Sequence, residues 1–112
     1  MPRFIFKNVE FEDVKSLSQT LSVKSAEIID CPIDWITFEH VSNTIFLEGN
    51  DITSSMLFLE VSWFKRSQEV QDQLATYLNS TLNKYFNEEK EITIIFHTLE
   101  EANYYEEGQN FL

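Results

Sequence analysis

The feature that most restricts what this chain can become is a strand-helix-strand pattern, read twice in succession within 112 residues. Arg3-Phe4-Ile5-Phe6-Lys7 is short, aromatic and β-branched with charged ends, which reads as a first strand starting directly after Pro2. From Glu10 to Ile29 the apolar residues Val14, Leu17, Leu21 and Ile28 recur at helical spacing, while Lys15, Gln19 and Glu27 fall elsewhere, which predicts an amphipathic helix. Asp30-Cys31-Pro32 ends it, because proline disfavours helix in the residue before it. Trp35 to Leu47 is rich in β-formers with partial alternation, and Glu48-Gly49-Asn50-Asp51 is a turn signal, so one strand and a turn are expected. The second round begins with Leu57 to Phe64, an interior strand that is apolar except at Glu60 and Ser62. Val70, Leu74, Tyr77 or Leu78, Thr81 and Tyr85 then predict a helix from Ser67, its N-cap, to about Phe86. Glu91 to Thr98 gives a further strand, and Glu100 to Glu107 reads as a short helical turn before Gly108 and the aromatic end.

The order is therefore β-α-β-β-α-β with a short C-terminal tail. Right-handed crossovers place both helices on one face of a four-stranded mixed sheet, an α+β fold. The length fits a single domain over residues 1–112. On the opposite face Thr37, Glu39, Glu60, Ser62, Thr93 and Ile95 are too mixed for a core and too structured for plain solvent, so neighbouring subunits are expected to cover it.

Composition narrows the function classes. A hydrophobic share of 43%, with ten Phe, four Tyr and two Trp, is that of a packed globular domain rather than a disordered chain. Nineteen acidic against eight basic residues give a net charge of −11, which repels phosphate backbones and anionic membrane surfaces alike. Neither nucleic acid nor membrane is an expected partner, and no apolar run approaches the roughly eighteen residues needed to span a bilayer. The start carries no secretory pattern and Cys31 is a lone cysteine, so the reducing cytoplasm is the expected compartment.

Pro2 is the leading chemical candidate. An initiator Met before Pro is normally trimmed, which would leave a secondary amine able to act as base or nucleophile. Such work needs a neutral amine, whereas an α-amino group ordinarily titrates at about 7.7–8.0 and a prolyl amine somewhat higher. Burial lowers that value, and a cation such as Arg66 adds to the effect. The plainer alternative is a residue that merely starts an edge strand. Arg66 opens the second helix, where its planar guanidinium suits a bidentate carboxylate, unless it is spent on Glu60, Glu69 or the acidic tail. Arg3 lies across the sheet from Pro2 by strand alternation. Gln68, Gln71 and Asp72 occupy the first turns of the helix, placed either to orient a substrate or to cap.

Trp63 and Phe64 point to opposite faces, so one packs under the helices while the other walls a pocket or subunit contact; Trp63 is carried as the substrate-binding candidate. Glu39 and Glu60 sit mid-strand and need pairing, for which Arg66 or Lys65 are the expected cations. His40 and His97 belong to no ligand or triad pattern, so each reads as a sheet histidine and no metal is expected. Cys31 follows a helix C-terminus, which raises a thiol pKa. Tyr104, Tyr105 and Phe111 read as anchors that dock the tail on a neighbour, with a pocket role open for one tyrosine hydroxyl.

A proline start on a first strand followed by the doubled β-α-β resembles the tautomerase superfamily that includes oxalocrotonate tautomerase and macrophage migration inhibitory factor. More narrowly, Phe38 to Gly49, Leu59 to Ala75 and Ala102 to Phe111 resemble a small bacterial family of unknown function within it, and W-F-x-R-x-Q-x-x-Q-D at Trp63 to Asp72 is the distinctive motif. The resemblance implies a homotrimer with pockets around the terminal prolines, each partly built by a neighbouring chain. It also implies general-base proton transfer on a small keto or enol acid, or acid chemistry in hydration or dehalogenation. Neither needs a cofactor. A pocket lysine of the inhibitory-factor branch is matched in position by Cys31, and that branch's tyrosine and asparagine from a neighbour fall at Thr93 and Ile95. Pro2 as base, with Arg66, Trp63, Gln68, Cys31 and Ile95 around a small carboxylate ligand, is thus the expected site. The alternative is the same fold kept as a non-catalytic ligand-binding or structural oligomer.

Overall fold

The computed structural model describes all 112 residues. In chain order it contains β1 (Arg3–Lys7), α1 (Phe11–Ile29), β2 (Thr37–Val41), β3 (Phe46–Leu47), β4 (Asn50–Asp51), β5 (Met56–Trp63), α2 (Gln68–Tyr85), β6 (Glu91–Thr98), β7 (Tyr105–Glu106) and β8 (Gln109–Asn110). Four strands form one sheet in the order β2-β1-β5-β6. The outer pairs β1–β2 and β5–β6 are parallel and the central pair β1–β5 is antiparallel, so each helix is the crossover of one β-α-β unit.

Both helices cover the same face, the one lined by Phe4 and Phe6 of β1 and Leu57, Leu59, Val61 and Trp63 of β5. Against it α1 packs Val14, Leu17, Leu21 and Ile29, and α2 packs Leu74, Leu78 and Leu82, one buried residue per helical turn. Each such side chain contributes about 1.5–3 kcal/mol of apolar burial. The Ser67 hydroxyl accepts the Val70 N–H at 3.2 Å and starts α2 as the sequence predicts. Asp30 ends α1 in the left-handed region (φ 62°), returning its N–H to the Ala26 carbonyl at 2.9 Å.

The expected single strand from Trp35 to Leu47 is divided. Ile33–Trp35 forms a 3-10 turn, β2 stops at Val41, and the chain then leaves the sheet. The reason is that β1 ends at the same level, where Asn8 turns with φ 68° and donates its N–H to the Asn43 side chain at 3.0 Å instead of to a neighbouring strand. Beyond it β3 and β4 make a separate hairpin around Glu48 (φ 48°) and Gly49 (φ 82°), a two-residue turn with both φ positive. Residues 100–107 also differ from the expected helical turn. Only Glu101–Asn103 is helical, as one 3-10 turn, and the hairpin β7–β8 follows through Glu107 and Gly108.

The uncovered sheet face carries Thr37, Arg3, Ser62 and His97 in one row and Glu39, Ile5, Glu60 and Ile95 in the next. Its carboxylates are paired, though not with Arg66 or Lys65 as the sequence led us to expect. Arg3 grips Glu39 through Nε at 2.7 Å and Nη2 at 3.1 Å, while Glu60 lies between Lys7 Nζ and His97 Nε2, each at 2.6 Å. Lys7 first and His97 second hold the Glu60 carboxyl below the ordinary carboxylate range. No helix is long and apolar enough to cross a membrane.

Candidate active site

Pro2 enters the sheet at the mouth of β1. It is buried, and its carbonyl accepts the Thr37 N–H at 3.1 Å, extending the parallel pairing with β2 by one bond. Because β1 and β5 are antiparallel, the start of β1 lies beside the end of β5, and Arg66 follows that end by three residues. Met1, Pro2, Trp35, Phe64, Arg66, Glu106 and Phe111 line one cavity of about 260 Å³. Five separate stretches of chain converge there: the N-terminus, the turn before β2, the β5–α2 connection, the β7–β8 hairpin and the tail.

The guanidinium is held by backbone. Arg66 Nε donates to the Ile29 carbonyl and Nη1 to the Phe64 carbonyl, each at 3.1 Å, so the end of α1 and the end of β5 both orient it. It makes no ion pair with any carboxylate of the chain, including the Glu60, Glu69 or tail partners considered from sequence. Its charge and its Nη2 end are thus available to an anion. Burial is the main cause that lowers the pKa of the amino group at Met1. Arg66 pushes in the same direction, and Glu106 and Cys31 oppose it.

Aromatic packing shapes the walls. Phe64 meets Tyr104 edge-on with ring centroids 4.9 Å apart and stacks on Phe111 at 5.8 Å, and Tyr104 meets Phe111 at 4.7 Å. Tyr104 and Phe111 thus pack on Phe64 of their own chain, while Phe111 stays partly exposed and Tyr105 is exposed. The Tyr104 hydroxyl donates to Glu106 Oε1 at 3.0 Å, and its pKa is raised by burial and then by that carboxylate.

The remaining expected site residues are dispersed. Trp63 is 1% exposed and packs against Phe96 at 5.1 Å in the core; strand parity gives the cavity wall to Phe64, the other member of the pair. Gln68 is exposed on the first turn of α2, accepting from Lys65 Nζ and donating to Asp72, outside the cavity. Cys31 is half-buried near Arg66 and the N-terminus without forming the wall; burial raises its thiol pKa, against the opposing charges of Arg66 and the N-terminus. Ile95 lies on the uncovered sheet face beside Glu60. Trp35 and Glu106 were not anticipated, because one sits in a connecting turn and the other in a hairpin tip, where neither periodicity nor motif marks a side chain that reaches a distant site.

This arrangement, two helices on one face of a β2-β1-β5-β6 mixed sheet, is the tautomerase-type fold. A macrophage migration inhibitory factor homologue from Prochlorococcus marinus superposes on it with a TM-score of 0.72 at 17% identity, over 98% of this chain and 97% of that one. The chain belongs to the DUF1904 family, a domain of unknown function whose model matches residues 1–110. A DUF1904 domain from Sebaldella termitidis ATCC 33386 is 35% identical over 99% of this chain and 100% of its own, with a TM-score of 0.90. A protein of unknown function from Vibrio cholerae O1 biovar eltor is 29% identical over 98% of this chain and 87% of its own, with a TM-score of 0.86. No protein of curated function matches the chain.

Proposed function

We propose that, once Met1 is removed, the Pro2 secondary amine acts as general base on a small keto or enol acid whose carboxylate is held by Arg66, without a cofactor. The amine lone pair takes a proton from the carbon next to the carbonyl, the electron pair moves to the carbonyl oxygen as an enolate, and the proton is returned at either end. The observation that carries this reading is the cavity itself: Pro2 and Arg66, 64 positions apart, line one space, and Arg66 spends no charge on the protein's own carboxylates. Burial lowers the pKa of the amino group at Met1, against Glu106 and Cys31 and with a smaller push from Arg66, and the Pro2 amine freed beside it would share that burial.

The reading extends to assembly and place. A homotrimer whose subunits cover the uncovered sheet face would also cover exposed Phe46, Leu47 and Ile95 and complete each cavity's open side. The single free cysteine is in keeping with the cytoplasm. Exchange of the α-protons of small 2-oxo acids in D2O, followed by NMR, tests the chemistry without a named substrate. Pro2→Ala should slow exchange about a hundredfold or more; exchange as fast as in the unaltered protein would overturn the base assignment.

A second reading, a non-catalytic ligand-binding or structural oligomer, draws on Met1, which itself lines the cavity, and on Cys31 standing where the inhibitory-factor branch has its lysine. Intact mass separates the two. A retained Met1 blocks the amine and removes the catalytic reading.

A further inference from the structure

Glu106 is an unusual wall for a cavity built to hold an anion. It comes from β7, at the opposite end of the chain from Pro2, yet lines the same space as Arg66. The two opposite charges do not pair with each other. Each is fixed elsewhere: Arg66 by the Ile29 and Phe64 carbonyls, Glu106 by the Tyr104 hydroxyl, whose ring meets the stacked Phe64 and Phe111 edge-on. Oε1 accepts the hydrogen bond of the tyrosine hydroxyl and Oε2 has no partner in the protein. Phe64, Phe111 and Trp35 line the same space as the two charges. With Met1 in place the space is about 260 Å³, the liquid volume of about nine waters, and removal of Met1 enlarges it.

We propose that Glu106 is a specificity-determining residue, which makes this cavity take a short monocarboxylate carrying a hydroxyl or ammonium donor at its far end and reject the dicarboxylate of the same length. The inference rests on the reading of Arg66 as the anion holder. The ligand carboxylate pairs with the free edge of Arg66, its apolar middle lies along the aromatic walls, and its terminal donor makes a hydrogen bond to Glu106 Oε2. A second carboxylate at that end would face Glu106 at close range, where like charges repel and an acceptor meets an acceptor. Selection thus works by repulsion as well as attraction, and it is separable from the proton transfer at Pro2.

The test is binding of 5-hydroxypentanoate, 5-aminopentanoate and glutarate to the processed protein, measured by NMR titration. The unaltered protein should bind the first two at least about tenfold more tightly than glutarate. Glu106→Gln keeps the size and the Tyr104 bond of an exposed side chain; it should bring the three within about threefold of one another, chiefly by tightening glutarate. Arg66→Gln should weaken all three. An unchanged preference in Glu106→Gln, or no binding of any probe by the unaltered protein, overturns the inference. If Arg66→Gln leaves all three affinities intact while Glu106→Gln shifts the preference, the anion-holder reading fails and the selectivity of Glu106 stands alone.

Discussion

The central strand pair has two ends built to the same plan. At one, β1 begins and β5 ends; at the other, β5 begins and β1 ends. Each end carries a cavity formed by a strand start, the residues after a strand end and the turn before an outer strand. Their chemistry is opposite. The Pro2 end is aromatic, with an arginine whose charge meets no carboxylate. The other end, about 400 Å³ and lined by Asn8, Glu10, His40, Asp51, Thr53 and Lys90 among others, is polar, and the buried Asn8 side-chain amide has no hydrogen-bond partner in the protein. There Asp51 accepts from the Thr53 hydroxyl and N–H, while Lys90 donates to the Ser54 carbonyl and lies over the Phe86 ring. The fold supplies two mouths, and residue choice gives them different chemistry, which is why the proposed anion site is placed at the Pro2 end.

The contrast would break first within β5. Trp63→Ala should cost about 3–5 kcal/mol in a denaturant melt because it empties the core, whereas Phe64→Ala, one residue on, should cost markedly less and widen the cavity. Equal costs would mean that wall and core are not separate. The two cations sharpen it next: Arg66→Gln should weaken a monocarboxylate probe about tenfold or more, and Lys90→Gln should leave it within twofold. A smaller effect separates the two helix starts. Ser67→Ala should destabilise by about 1 kcal/mol through its lost cap, while Glu10, which makes no side-chain cap bond, should be improved upon by Glu10→Ser by about 0.5–1 kcal/mol. The smallest lies between the ends, at Glu60. Its carboxyl binds a proton less tightly folded than unfolded, so its contribution is present above the ordinary value of 4.5 and is lost as pH falls through the lowered one. Glu60→Gln should flatten the stability curve in that acid range by about 1 kcal/mol or less.

Both helices, β1 and β6 were legible because their periodicity, caps and breakers agree with the burial they reach. Residues 35–47 were not, since β1 has already turned at Asn8 and leaves Ile45, Phe46 and Leu47 no partner in the main sheet, so these β-formers pair with the chain around β4 instead. Trp63 and Phe64 could be assigned to opposite faces by alternation but not to the correct face, because only the register with β1 and β6 says which parity is covered by helices. Pro2 and Arg66 stood out as chemistry. Glu106 and Trp35 did not, because they reach the cavity from a hairpin and a connecting turn whose paths depend on tertiary packing.

The titration of the Pro2 nitrogen, followed by 15N NMR in protein shown by mass to lack Met1, tests the central claim most directly. The account predicts a midpoint below the ordinary α-amino value of about 7.7–8.0, moving lower still in Glu106→Gln and higher in Arg66→Gln. An amine that stays protonated to or above that value, indifferent to both substitutions, would contradict it.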